Sequence, residues 1–313
     1  MKNSQRLMVK IIREICAQEN ISCETFSHDW VLRLSKNGKT AHIFGYQFDN
    51  NSAGTQLICT DKCATYELLK SLAIPAVEHH FFICPEDFQY IEGSGNWPGM
   101  LGLLNEYHRL VVKPNEGTGG KEIYLASSPA ELEAAVSRIF LRNRSIAISP
   151  LLPIASEYRV ILLNEQEKLV YSKKIPVITG DGVTTVRNLV LNFLQQHPEV
   201  VIELSMDEEI SHKILPKGEK MPLTWKHNLG QGSLPEIVNT SDLKDQLVQL
   251  AKKAASAVNG RFVSVDIIEQ KNTLMVLEIN SGIMMEAFAQ QDPSFYILTK
   301  EIYRDAIRSL GLS

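Results

Sequence analysis

The chain has 313 residues, 44% of them hydrophobic, enough for one large domain or two to three lobes with filled cores. A formal charge of -4 and a pI near 6.1 leave no broad basic field, which argues against nucleic acid and against an anionic membrane surface as partners. Five cysteines (Cys16, Cys23, Cys59, Cys63, Cys84) are an odd number without C-x-x-C spacing, so they read as reduced thiols rather than a disulfide framework or a zinc site. No apolar run approaches the roughly 18 residues of a membrane span, and the amphipathic N-terminus lacks a signal-type core. The expectation is a soluble cytoplasmic protein; whether it forms a homo-oligomer is left open.

In chain order, apolar residues at Leu7, Met8, Ile11, Ile12 and Ile15 recur at the helical period and predict an opening helix with one buried face. Strand-like runs at Trp30 to Leu34 and Ala41 to Phe44 flank Asn37-Gly38, a strong hairpin turn signal. Thr60-Asp61 precedes a helix over 63–72 as its N-cap. The stretch from Pro85 to Gly102, rich in Gly, Pro, Asn and acidic residues, reads as a surface connection. Strands then follow over 109–114 and 122–126, with a helix from Ala130 to Phe140. Further strands are expected over 145–149, 157–163 and 168–175, the last two as a hairpin. Thr184 is expected to cap a helix carrying Val186, Leu189, Val190 and Phe193, and 203–222 to be a surface insertion. A helix over 241–258, a strand pair over 262–269 and 273–279, and a closing helix from Tyr296 to Leu310 complete the chain.

Two constellations carry chemistry. In VVKPNEGTGGKEIY, Lys113 ends an apolar strand, and the following glycines let backbone N–H groups approach phosphate oxygens. The spacing is neither a Walker loop nor a dinucleotide fingerprint; the bland alternative is a hairpin with a glycine-rich turn. In the C-terminal strand pair, period two puts Glu278 and Asn280 on one face, and a hairpin brings Asp266 beside them. Three oxygen ligands of this kind suit Mg2+ (or Mn2+) bound with a nucleotide rather than zinc or copper. Lys173 and Lys174 are adjacent on a strand, so only one of them faces a site. His227, a lone loop histidine, reads as a hydrogen-bonded bystander.

From Thr60 onward the ordered motifs TDKCATYELLKSLAIPAV, VVKPNEGTGG, EYRVILLNEQ, KKIPVITGDGVTTVRNLV, KHNLGQGS and VDII with LEIN resemble the ATP-grasp superfamily, in particular the ATP-grasp region of cyanophycin synthetase and bifunctional glutathione synthetases. The resemblance implies an α+β ATP-grasp fold, with nucleotide held between two α+β lobes behind a small N-terminal α/β lobe. The divisions expected are 1–60, 61–145 (small lobe with the glycine loop) and 146–313 (C-terminal lobe with the metal site). It also implies a carboxylate-amine ligase that uses ATP and Mg2+ and forms an acyl phosphate from a small-molecule carboxylate before an amine, an amino acid or short peptide, attacks. Lys62 and Lys113 would hold nucleotide phosphates under the loop Glu116, Gly117, Thr118, Gly119 and Gly120. Glu157 would hold the ribose. Ser149, standing where relatives carry Glu or Gln, would share adenine recognition with the carbonyl of Pro150 and the N–H of Leu152. Lys174, in place of a family Arg, would face the acyl phosphate, with Lys226 and Asn228 on the substrate side. Asp266, Glu278 and Asn280 would hold the metal. A small-molecule kinase and a non-catalytic nucleotide-binding regulator are the alternatives.

Overall fold

The computed structural model describes residues 6–90, 96–117, 120, 122–197, 200, 208–239 and 241–312. Helix α1 (Leu7–Glu19) buries Met8, Ile11, Ile12 and Ile15, and Asn20 ends it in the left-handed region at φ 54°. A meander of four antiparallel strands follows in the order β1 (Ser22–Phe26), β2 (Val31–Lys36), β3 (Lys39–Phe44) and β4 (Gln47–Phe48). Asn37 and Gly38 both have positive φ and turn β2 into β3, pairing Lys36 with Lys39 as the dipeptide predicts. Strand β1 was not expected, because SCETF has no apolar alternation.

Two capped helices come next, α2 (Ala53–Thr60) and α3 (Lys62–Ser71). Asp61 caps α3 by accepting from the Ala64 N–H at 2.8 Å, which places Lys62 at the first helical position.

The second sheet contains β5 (His80–Ile83), β6 (Leu110–Pro114), β7 (Tyr124–Ala126) and β8 (Ser145–Pro150) in the order β5-β8-β6-β7. Its helices are α4 (Asn96–Tyr107) and α5 (Pro129–Phe140). Both pack on one face, where Met100, Leu104, Leu132 and Ile139 meet Val112, Ile146 and Ile148. Helix α4 corrects the expectation of a surface connection: Met100, Leu103 and Leu104 lie at helical spacing, masked by the surrounding Pro and Gly. The opposite face carries Val111, Lys113, Ala147 and Ser149, paired as Val111 with Ser149 and Lys113 with Ala147.

The remaining elements are β9 (Ser156–Leu163), β10 (Gln166–Lys174), β11 (Val177–Thr179), α6 (Val186–Gln196), α7 (Glu208–His212), β12 (Lys220–Pro222), β13 (Leu234–Ile237), α8 (Asp242–Ala257), β14 (Phe262–Gln270), β15 (Thr273–Asn280), α9 (Glu286–Ala289) and α10 (Pro293–Ser309). Thr185, not Thr184, caps α6; the Thr184 hydroxyl donates to Asp181 instead. The expected insertion over 203–222 is partly structural, since β12 pairs with β11 and Leu215 is buried against Ile178, Val186 and Val190. Residues 203–207 of it lie outside the described residues.

The large antiparallel sheet runs β13-β10-β9-β14-β15. One face packs on α8, where Tyr158, Val160, Leu162, Val263 and Val265 meet Leu247, Ala251 and Ala254. The other face is apolar at one end only. There Ile161, Leu163, Leu169, Tyr171 and Phe262 join α1, the first sheet and α10 in a single core. Residues 7–48 therefore share their core with the C-terminal strands. The uncovered end of that face carries Glu157, Arg159, Lys173, Asp266 and Glu278, and it lies beside the Lys113 face of the second sheet.

Candidate active site

Strand register assembles the charges. Asp266 on β14 lies directly across from Arg159 on β9 and from Glu278 on β15. Arg159 grips Asp266 with both arms of its guanidinium, Nε to Oδ1 and Nη2 to Oδ2, each at 2.6 Å. Lys173 adds Nζ to Asp266 Oδ2 at 2.8 Å and Nζ to Glu157 Oε1 at 2.5 Å. Asp266 is only 1% exposed. Burial alone would raise its carboxyl, but the fields of Arg159 and then Lys173 outweigh burial and hold it well below the usual carboxylate range. Burial dominates at Glu157, and its carboxyl is pushed up to about 7 despite Lys173. Asn280 lies two residues beyond Glu278 on the same face and donates its amide to Glu278 Oε1 at 3.0 Å.

Facing these carboxylates are two lysines from the other side of the cleft. Lys62 donates to the carbonyls of Asn115 at 3.1 Å and Gly117 at 3.0 Å, so its ammonium rests on the start of the glycine loop. Lys113 is buried and forms no hydrogen bond or ion pair among the described residues. Burial first, then the neighbouring Lys62, lowers its amine to about 8, partly offset by Glu278. An unpaired buried ammonium has no structural justification, and a polyanion would answer its charge. At the far end of the loop, Gly120 has φ +70°, and a Cβ there would stand 2.6 Å from the Asn228 side-chain nitrogen. Asn228 accepts from the Gly230 N–H at 2.8 Å. The glycine loop thus spans from Lys62 to the Asn228 turn.

The fold has known counterparts. Residues 220–293 match the RimK-like ATP-grasp domain family. The chain also superposes on the bifunctional glutathione synthetase from Pasteurella multocida with a TM-score of 0.56 at 16% identity, covering 97% of this chain and 44% of that one. The fold is ATP-grasp. In sequence, the chain is 27% identical over 216 residues to the glutathione biosynthesis bifunctional protein GshAB of Listeria monocytogenes, covering 60% of this chain and 28% of that protein. It is 23% identical over 259 residues to the cyanophycin synthetase of Synechocystis, covering 75% of this chain and 28% of the relative. The ATP-grasp chain therefore spans little more than a quarter of the length of these curated relatives.

The ATP-grasp frame shows which expected residues meet. Lys62, Gly117, Glu278 and Asn280 line one pocket, Lys113 lies in the field of Lys62 and Glu278, and Gly120 stands against Asn228, with Glu116 exposed beside Gly117 and bridged to Asp61. Thr118 and Gly119 lie outside the described residues. Ser149 is buried on the Lys113 face of β8; Pro150 and Leu152, both half-buried, begin the connection to β9. Lys226 is half-buried, with its ammonium 5.7 Å above the Trp225 ring.

Three expectations need correction. Lys174 points away from the cluster: its side chain is 55% exposed and pairs with Glu236 at 3.3 Å. Alternation along β10 puts Lys173 inward instead. Glu157 is not open to a ribose in this conformation, being buried against Lys173. Asp266 is not a free metal ligand either, since three donors already occupy its oxygens. Among the described residues, no three His, Cys, Asp or Glu side chains form a ready metal cage. A divalent cation still fits the set in a restricted way. Asp266 Oδ1 carries one donor, leaving a lone pair, and Glu278 Oε2 with the Asn280 carbonyl oxygen supplies further hard donors.

Sequence reasoning missed Arg159, whose one signal was its place two residues beyond Glu157. It also missed Asn115 and His79, for which there was no signal. The buried Asn115 side chain accepts from the Cys63 N–H at 3.1 Å while its carbonyl accepts from Lys62, tying the Lys113 strand to α3. His79 is buried near Lys62, Glu278 and Asn280, held neutral by burial and then by Lys113. His227, by contrast, is bonded through Nδ1 to the Lys173 carbonyl at 2.9 Å, as a bystander would be.

Proposed function

We propose that this chain is an ATP-dependent carboxylate-amine ligase. The observation that carries the reading is the buried Lys113, without an ion pair among the described residues, beside Lys62 and in the field of Glu278. A nucleotide triphosphate would take the two ammonium groups. Lys62 would exchange the carbonyls of Asn115 and Gly117 for phosphate oxygens, which are stronger, charged acceptors. Mg2+ held by Glu278, Asn280 and Asp266 Oδ1 would supply charge stabilisation to the phosphates. A substrate carboxylate oxygen then attacks the terminal phosphorus, the bond to ADP breaks, and an acyl phosphate forms. An amine next attacks the acyl carbon, phosphate departs, and the amine's proton is released. Lys226 and Asn228 would face the anionic acyl phosphate, Asn228 lying against Gly120 of the glycine loop, which would shield it from water.

The test is a panel of amino acids and dipeptides scored for ADP and phosphate release, with product masses. Release that requires both a carboxylate and an amine, with a product lighter than its two substrates by one water, is the expected result. A phosphorylated product from a single substrate would replace the ligase reading with a kinase.

A further inference from the structure

The carboxylates at the end of the large sheet are already opposed by cations before any ligand is considered. Asp266 and Glu157 are paired with Arg159 and Lys173 within the sheet, and Glu278 lies in the field of Lys113 and Lys62 opposite. Lys173 is the pivot. Its side chain is 5% exposed, and its Nζ bridges Glu157 and Asp266 Oδ2, on the opposite oxygen of the carboxylate that would offer Oδ1 to a divalent cation. A free metal ion arriving at Asp266 Oδ1 would meet a carboxylate whose charge Arg159 and Lys173 already offset, with the buried Lys173 ammonium beside it repelling a second cation. A nucleotide changes that balance, because its phosphates bring several negative charges against Lys62 and Lys113.

We infer that Lys173 is a built-in counter-ion that keeps a divalent cation out of the Asp266–Glu278–Asn280 site until nucleotide phosphates are present. Metal and nucleotide then bind as linked partners, each raising the other's affinity by the same factor. Lys173 is a positioning residue here, touching the proposed metal ligands rather than substrate. The nucleotide half of the inference rests on the ligase reading above; the exclusion of bare metal does not.

The test is Mn2+ binding followed by electron paramagnetic resonance, a readout independent of turnover. Wild-type protein without nucleotide should show no stoichiometric Mn2+ site at sub-millimolar metal, and one site should appear with a non-hydrolysable ATP analogue. Lys173→Met, which removes the cation and keeps most of the stem, should acquire Mn2+ affinity without nucleotide, tighter than wild type by about tenfold or more. Lys173→Gln is the second variant, with far-UV circular dichroism to confirm folding. Adding Asp266→Asn to either should abolish the acquired site. Stoichiometric Mn2+ binding to nucleotide-free wild type would overturn the inference, as would unchanged Mn2+ affinity in folded Lys173 variants. If the analogue fails to bind under any condition, the ligase reading falls, while the wild-type and Lys173 titrations without nucleotide still decide whether Lys173 excludes the metal.

Discussion

At the scale of single residues, the isosteric changes Asp266→Asn and Glu278→Gln look alike in sequence, since each removes a charge from the same trio. The structure separates them. Asp266 is the partner of the buried Lys173 and the half-buried Arg159, so its neutralisation strands both cations, at a loss of about 3 kcal/mol or more. Glu278 accepts a neutral amide and faces the cleft. Both variants should lose turnover by at least about 100-fold, the order seen when a charge-stabilising group is removed. Only Asp266→Asn should also show a clearly lowered urea midpoint; equal midpoints would contradict the pairing described. Lys113 gives a second residue-level expectation. Its amine falls from an ordinary 10.5 to about 8 on folding, so the native state holds its proton less tightly than the unfolded chain. Burying that charge opposes folding at pH 7, and the penalty fades as pH rises through 8 towards 10.5, on the order of 3 kcal/mol in all. Lys113→Met should therefore melt higher than wild type at pH 7, with the gap narrowing by pH 9.5, while ATP-analogue binding is lost. A lower melting temperature at pH 7 would count against an unpaired ammonium.

At the scale of elements, the glycine loop works through the two ends the structure describes. Lys62 rests on its first carbonyls and Asn228 sits against Gly120 at its last turn. Gly120→Ala adds a methyl in the left-handed region and drives it into the Asn228 amide, which the Gly230 N–H holds in place. The loop must shift outward while the cores stay as they are. Turnover should fall by up to about 100-fold, as a misplacement near 1 Å can cost, with the melting temperature within a few degrees of wild type. Wild-type kinetics in this variant would show that the Asn228 turn has no part in seating the loop. Much of this element was legible in VVKPNEGTGG and KHNLGQGS as separate strings, since glycine and lysine at a strand end have local meaning. Their contact was not, because 108 positions separate Gly120 from Asn228 and no periodicity spans that interval.

At the scale of the whole molecule, the first sixty residues are part of the scaffold of the site rather than an appendage. The buried Asn51 side chain donates to the Phe262 carbonyl at 2.7 Å and accepts from the N–H groups of Arg261 and Phe262 at 2.8 and 3.1 Å. These bonds fasten the N-terminal unit to the start of β14, the strand that carries Asp266. Tyr46 and Glu286 repeat the fastening beyond Asn280, with a hydrogen bond of 2.7 Å. Asn51→Ala leaves the two buried backbone groups of Phe262 and the part-buried N–H of Arg261 short of a partner, a loss of about 2–4 kcal/mol. Urea denaturation should show it as a single, earlier transition; two separate transitions would mean that the N-terminal unit has a core of its own.

Read alone, the amino-acid order determined the local pieces: the opening helix, the Asn37-Gly38 hairpin, the Asp61 cap, the lysine and glycine loop, and the strands with Asp266, Glu278 and Asn280. Each is written in short-range chemistry, in periods of 2 and 3.6 or in a capping side chain, and such signals survive without tertiary context. Only the tertiary structure decided which charges meet. Arg159 and Asp266 are 107 positions apart, and Lys173 and Asp266 are 93. Their pairing follows from β9 lying between β10 and β14, an order that alternation cannot encode. The same order turns Lys173 inward and Lys174 out, so a run of two identical residues became one buried counter-ion and one surface ion pair.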